Sequence, residues 1–305
     1  MNSKTTLLLL VLSFCSVCSV AQHAGAYGAN KFKVYEDSLS EIGSHLINDQ
    51  SVPERINASY TFAKTLVRAL KIPRSFNYRF DSLKTIAVRY SPDQRFRIFS
   101  WHVMYDDGSY RYYGAIQMNN PDGKLHLFGL VDYSQAIKNP ADTVTSNDRW
   151  YGAQYYSIIP VTYNVRTPYY ILLGWKGNNV KSTKKVIETL YFKDDKPVFG
   201  MSVFDGNKGV SSNKRIIFEY SRQASMLLNY DTKTGMIVFD HLAAPDAKMV
   251  GNPELYGPDM SYDGYKLVGG RWKLVQDIPL KNPPSGEDVL FNDPKKPKYF
   301  TPRKF

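Results

Sequence analysis

The sequence predicts a predominantly antiparallel β protein carrying an N-terminal α-helical hairpin. Three observations carry that reading: two apolar stripes at helical spacing before residue 73, a long stretch of short strand-like runs between turn signals after it, and two glycine-centred hairpin turns inside that stretch. The strands read as a meander; barrel, sandwich and propeller-like closure all remain open at this stage. With 305 residues, 43% of them hydrophobic and 14% aromatic, the chain can bury a large core, which excludes a disordered tail or a collagen-like rod.

The chain begins as an export signal would. Lys4 precedes an apolar run from Leu7 to Phe14, and Ser19-Val20-Ala21 offers small residues where a signal peptidase cuts, so residues 1–21 read as a signal peptide removed before Gln22. The run is shorter than the ~20 residues of a membrane-spanning helix, and no later stretch reaches that length. The expected destination is therefore periplasmic or secreted. Both cysteines, Cys15 and Cys18, fall inside the signal. The exported chain is then expected to carry no disulfide, no cysteine nucleophile and no thiolate metal site, and nothing in the sequence implies a metal or another cofactor.

Residues 22–73 are expected to form the helical hairpin. Tyr35, Leu39, Ile42 and Leu46 make one stripe; Ile56, Tyr60, Ala63, Val67 and Leu70 make the second. Ser51 and Glu54 have capping-box spacing, Pro53 suits a first helical turn, and Pro73 marks the end. The short connection around residues 48–50 makes the helices antiparallel, and their apolar faces need the following sheet as a partner.

Residues 74–280 form the expected β domain. Reading Asp107-Gly108 as a two-residue type I′ turn places Tyr105 opposite Tyr110, Val103 opposite Tyr112, Trp101 opposite Gly114 and Phe99 opposite Ile116. That register puts His102, Arg111 and Tyr113 together on the other face as a polar cluster suited to an anionic or hydroxyl-rich ligand. The turn Asn120-Pro121-Asp122-Gly123 then pairs Met118 with His126, Ile116 with Phe128 and Gly114 with Leu130. Further strands are expected near 169–175, 186–192, 197–204, 215–220, 225–230 and 236–242. The last hairpin, at Gly269-Gly270, pairs Val268 with Arg271, Leu267 with Trp272, Lys266 with Lys273 and Tyr265 with Leu274. Leu267, Trp272, Tyr265 and Leu274 then face a core, while Lys266, Arg271 and Lys273 share the opposite side as a second place for an anion. Residues 281–305 read as a Pro- and Lys-rich unstructured tail.

Familiar catalytic signatures, G-x-S-x-G, H-E-x-x-H, the P-loop and G-x-G-x-x-G, do not occur. Four residues remain as catalytic candidates: Glu219, Asp240, His241 and Asp259, in a stretch rich in Tyr. Two carboxyls across a cleft are what glycoside hydrolysis needs, one to protonate the leaving oxygen and one to act as base or nucleophile.

The segments Tyr170-Ile171-Leu172-Leu173-Gly174-Trp175-Lys176-Gly177, Ile216-Ile217-Phe218-Glu219-Tyr220-Ser221, Met236-Ile237-Val238-Phe239-Asp240-His241-Leu242 and Tyr256-Gly257-Pro258-Asp259 resemble a family of exported proteins of the Bacteroidota with no assigned activity. The resemblance spans roughly residues 150 to 280, implies a bacterial envelope protein and brings no catalytic residues with it. The net charge of +11, or +10 once Lys4 is removed with the signal, points to an anionic partner, which outside the cytoplasm means acidic glycan or another anionic envelope component rather than nucleic acid. The expected function is a non-catalytic exported binding protein with an aromatic and basic β surface. A glycosidase-like hydrolase using Glu219, Asp240 and Asp259, and a structural or assembly factor of the envelope, are the alternatives.

Overall fold

The computed structural model describes residues 30–205 and 213–279. The signal segment and the tail expected from the sequence lie outside the described residues. The described chain is mostly antiparallel sheet behind an antiparallel pair of helices, and among the described residues no sheet closes into a barrel.

Helix α1 covers residues 30–48 and α2 covers Val52–Leu70. The capping box forms as expected: Ser51 accepts from the Glu54 N–H while the Glu54 carboxylate accepts from the Ser51 N–H, and Pro53 sits in the first turn. In α1, Leu39 and Leu46 are buried and Tyr35 and Ile42 half-buried, as the spacing predicts. The buried face of α2 is rotated from the predicted one. Ala58, Phe62, Leu66, Ala69 and Leu70 are buried together with Arg55 and Ser59, while Tyr60 is 51% exposed. Phe62 and Leu66 bury more apolar area than Tyr60, whose hydroxyl is better left in water, so they decide which way the helix turns.

The first sheet has the order β1-β2-β3-β4, with β1 Ala87–Tyr90, β2 Phe96–Met104, β3 Tyr110–Met118 and β4 His126–Val131. The β3–β4 register is the predicted one, with Met118 opposite His126, Ile116 opposite Phe128 and Gly114 opposite Leu130. The β2–β3 register is not. Trp101 lies opposite Tyr113, His102 opposite Tyr112 and Ser100 opposite Gly114, one residue away from the predicted pairing. The connection is a three-residue loop, Asp106-Asp107-Gly108, with Gly108 at φ +78°, closed by the Tyr105 N–H to the Ser109 carbonyl at 2.8 Å. Arg55 donates to Asp106 Oδ1 (3.0 Å) and to the Met104 carbonyl (3.2 Å), tying this loop to α2. Both faces of the sheet are buried, so hydrophobic alternation offered no polar side against which to fix the register.

The second sheet has the order β5-β9-β8-β7-β6, from β5 Thr145–Ser146, β6 Gln154–Val161, β7 Tyr169–Gly177, β8 Ser182–Lys193 and β9 Lys196–Phe199. The third combines β10 (Phe204–Asp205), β12 (Leu228–Asp231), β13 (Met236–Ala243), β14 (Gly257–Val268) and β15 (Arg271–Val275). Strand β11, Arg215–Ser221, pairs with β8. The run predicted as one strand over 197–204 is broken into β9 and β10, with Gly200 at φ +94° between them. The Gly269-Gly270 hairpin has the predicted register throughout.

Three apolar layers glue these elements face to face. The helices pack on Phe99, Trp101 and Val103 of β2. The other face of the first sheet, with Ile98, Tyr112 and Ile116, meets Tyr155, Tyr170, Leu172 and Val186 of the second. Ile171, Leu173, Ile187, Ile216 and Tyr220, from the opposite side, meet Ile237, Phe239, Tyr265 and Trp272 of the third. Strand β7 alternates between two cores, which is why Tyr169 to Leu173 reads as a continuous apolar run. Side chains of the first strands knit the sheets: Arg89 donates to the Tyr156 carbonyl (2.9 Å), and the Tyr156 hydroxyl to the Leu228 carbonyl (2.9 Å).

Cations are buried at these junctions. Lys176, 6% exposed, donates to the carbonyls of Tyr151 and Gly152 (2.8 Å each) and to Ser134 Oγ (3.1 Å), with the Tyr112 and Tyr151 rings 4.5 and 4.4 Å from its amine. Burial pulls its pKa down to about 8, against the pull of Asp132.

Two outcomes follow from this packing. A Cβ at Gly114 would stand 2.6 Å from the Phe99 carbonyl oxygen and 3.1 Å from Leu130 Cδ1. Gly114→Ala should therefore lower stability by about 1–3 kcal/mol, seen as a lower urea midpoint; an unchanged midpoint would contradict the close approach. Because the folded chain sheds the Lys176 proton more readily than the unfolded one, whose lysines keep theirs up to about 10.5, stability should rise with pH from about 8 to 10. Half-buried Lys185 is lowered as well and adds in the same direction, while buried Tyr112 and Tyr155, both raised, reverse the trend above pH 10. Urea midpoints measured across that window should climb in the wild-type chain and climb less in Lys176→Met; equal slopes would refute the assignment.

Candidate functional site: an aromatic and basic cleft where the sheets meet

The sequence-predicted residues do not assemble as the sequence suggests. With the β2–β3 register moved by one, His102 shares its face with Tyr110 and Tyr112, and Arg111 and Tyr113 lie on the other. The predicted His102–Arg111–Tyr113 cluster therefore does not form. His102 Nδ1 stands 2.8 Å from Gln154 Oε1, and burial lowers the imidazole pKa against the opposing effect of that contact. Tyr113 stacks on Trp101 at 6.0 Å under α2, and burial pushes its phenol up to about 12. Arg111 is exposed beside it.

The four catalytic candidates also separate. Glu219 accepts from Ser182 Oγ (2.6 Å) and Asn178 Nδ2 (3.0 Å) and pairs with Lys184 at 3.1 Å. Asp240 accepts from the Leu227 N–H at 2.6 Å and acts electrostatically on Lys185 and Tyr220. Successive strand residues point to opposite faces, so Lys184 with Glu219 and Lys185 with Tyr220 lie on opposite sides of the second sheet. Glu219 and Asp240 are thus not brought together. His241 and Asp259 are: His241 Nδ1 lies 2.8 Å from Asp259 Oδ2, at a register shift where β13 passes from the Asp240–Tyr262 pair to the Leu242–Pro258 pair. Ser261 donates to the same carboxylate through its N–H and hydroxyl, and these contacts hold Asp259 at about 2 while Asp259 raises His241. The pair is a surface hydrogen bond that becomes an ion pair when His241 is protonated.

On the last hairpin, Tyr265 and Trp272 are buried and Leu274 packs against them, as predicted, but Leu267 is 37% exposed. Lys266 and Lys273 face solvent. Arg271 turns away to Asp205, 2.6 Å off, and donates to the Ser202 carbonyl at 2.8 Å, so its charge is spent on joining β10 to β15.

A different constellation stands out. Where the first two sheets and the connection from β11 to β12 converge, Tyr110, Trp175, Thr183, Lys185, Tyr220 and Arg222 line a cleft of about 420 Å³. Trp175 and Lys185 are cross-strand partners on β7 and β8, and Gly177 is the partner of Thr183. Gly177 is required here: a Cβ would fall 2.4 Å from the Tyr110 ring, which lies on its bare backbone. Tyr110 and Trp175 meet edge to face at 5.4 Å, and His102 closes the group 5.0 Å from Trp175. The Arg222 guanidinium lies 5.8 Å from the Tyr110 ring, steadied by donation to the Asn179 carbonyl at 3.0 Å. Lys185 donates to the Met226 carbonyl at 2.5 Å and keeps further protons for a ligand. Thr183 Oγ1 is buried without a hydrogen-bond partner among the described residues.

Chemically, the cleft offers aromatic faces for the apolar side of a ligand and two cations for its anionic groups. Among the described residues no group of three or more His, Cys, Asp or Glu is placed to hold a metal ion, and no helix is long and apolar enough to cross a membrane. Sequence reasoning missed this cleft because its residues come from segments far apart in the chain; the Trp175–Lys185 pairing was the available sign, and it needed the β7–β8 register. Comparison with protein-family models, with curated proteins and with solved structures finds no match.

Proposed function

We propose that this chain is an exported, non-catalytic binding protein of a bacterial envelope, processed before Gln22 to a periplasmic or secreted form, that binds an acidic glycan. One observation carries the reading: Lys185 and Arg222 flank Trp175 and Tyr110 in a single cleft. A sugar ring presents C–H groups on its faces and hydroxyls or carboxylates at its edge, and this surface complements both. The net charge of +11, which becomes +10 when Lys4 leaves with residues 1–21, favours approach of a polyanion. A binding role is favoured over glycoside hydrolysis because Glu219 is engaged by Lys184, Ser182 and Asn178, on the other side of the sheet from Asp240.

Titration of the purified protein with polygalacturonate at low salt should give saturable binding that weakens with added salt, and neutral dextran should bind far less. Arg222→Ala, at an exposed position, should weaken binding about tenfold, or ~1.4 kcal/mol. Trp175→Ala should weaken it at least as much. Absence of saturable binding, or equal binding of dextran, would overturn the reading.

A further inference from the structure

The cleft does not stand alone. Tyr110 is also a wall of a second hollow, of about 480 Å³, which contains Arg111, Tyr105 and Tyr133. Tyr133 in turn is a wall of a third, of about 630 Å³, which contains Lys138 and Arg149. The Arg149 guanidinium lies 5.9 Å from the Tyr133 ring, which is 45% exposed. Neighbouring hollows thus share a tyrosine as a common wall.

We infer that these hollows form one continuous track for an extended acidic polysaccharide, so that the ligand is recognised as a chain many sugars long rather than as a single residue or chain end. The inference rests on the reading of the first cleft and deepens it. Charge complementarity supports it. Arg111, Arg149, Lys185 and Arg222 lie along the track, and none of the ion pairs among the described residues takes any of the four. Two half-buried cations off the track, Lys184 and Arg271, are by contrast paired, with Glu219 and Asp205. Asp107, Asp132 and Asp148 also line the hollows, bonded without being neutralised by the Ser109 N–H, by the Tyr112 and Ser134 N–H groups and by the Ser146 hydroxyl, so the five cations of the linings, Arg111, Lys138, Arg149, Lys185 and Arg222, exceed the carboxylates by two. Successive tyrosine rings give successive sugars a face to lie on, and successive cations give their carboxylates a partner. Contacts in series raise affinity with the number of sites a single chain can reach.

The test is a length series of oligogalacturonides, from the disaccharide to the polymer, titrated into the purified protein and its exposed-site variants. Affinity should rise at least tenfold along the series. Arg222→Ala should weaken short and long ligands alike, whereas Arg111→Ala and Arg149→Ala should weaken only the long ones. Lys266→Ala and Lys273→Ala, which remove exposed cations away from the track, should leave the series unchanged. Equal affinity for short and long ligands, or equal losses from substitutions on and off the track, would overturn the extended track while leaving a single binding cleft. No binding at any length would instead remove the glycan reading itself.

Discussion

The stacking of this protein depends on positive charge held where water cannot reach. Arg215, fully buried, donates through Nε to Glu188 (2.7 Å), and its remaining donors go to the carbonyls of Pro140 and Thr143 (2.9 Å for the latter) and to Thr145 Oγ1 (3.3 Å). Glu188, also fully buried, takes a further hydrogen bond from the Tyr155 hydroxyl, which itself accepts from Trp150 Nε1. An ion so desolvated is tolerated only when its donors are nearly all satisfied, and loss of one partner from such a pair costs about 3–5 kcal/mol. The loop over 140–145 is therefore fixed against the second sheet by hydrogen bonding. Lys176 does the same for Ser134 and the 151–152 segment. Arg97, fully buried, spans the Ser75 and Tyr78 carbonyls, Tyr90 and Gln117. Arg215 and Lys176 thereby hold segments that line two of the hollows, so the type of group that anchors the scaffold inside is the one left exposed along its surface.

Helices, strand content and two of the three glycine-centred turns are legible in the sequence because each is dictated locally. Ser51 and Glu54 cap α2 by spacing alone. Gly123 and the Gly269-Gly270 pair take φ values of +73°, +60° and +78°, which their flanking pairings already demand. The third turn failed at a known weak point: Asp-Gly supports a two-residue or a three-residue loop, and the choice rests on surroundings. Here Arg55, forty-nine residues from the strand end it bonds, takes part in the answer. A single-residue difference then moved His102 away from Arg111 and Tyr113, because strand side chains alternate. Candidate residues picked by type alone fared differently from pairings picked by geometry. The β14–β15 register was fully legible, yet the partner of Arg271 was not, since Asp205 arrives through a parallel contact with β10.

The distribution of satisfied and unsatisfied charge separates scaffold from surface more clearly than residue type does. Glu219 and Arg271 have opposite charges within 3.1 Å, and Asp259 has the His241 ring at 2.8 Å. Their energies are spent within the fold. Among the described residues Arg222 and Lys185 donate to neutral carbonyl or thioether acceptors, which orient a cation without neutralising it, and Asp240 acts on Lys185 without forming an ion pair with it. An anion arriving there gains a charge-assisted hydrogen bond from donors already positioned, so little ordering entropy is lost on binding.

Gly177 controls the divide between the first two hollows. Tyr110 can serve as their common partition only because the strand beneath it carries no side chain. Any heavier residue would lift the phenol off its seat and change the bore on both sides at once. The passage width is therefore encoded by an atom that is absent, and a substitution at this one uncharged position would re-gauge both hollows at once.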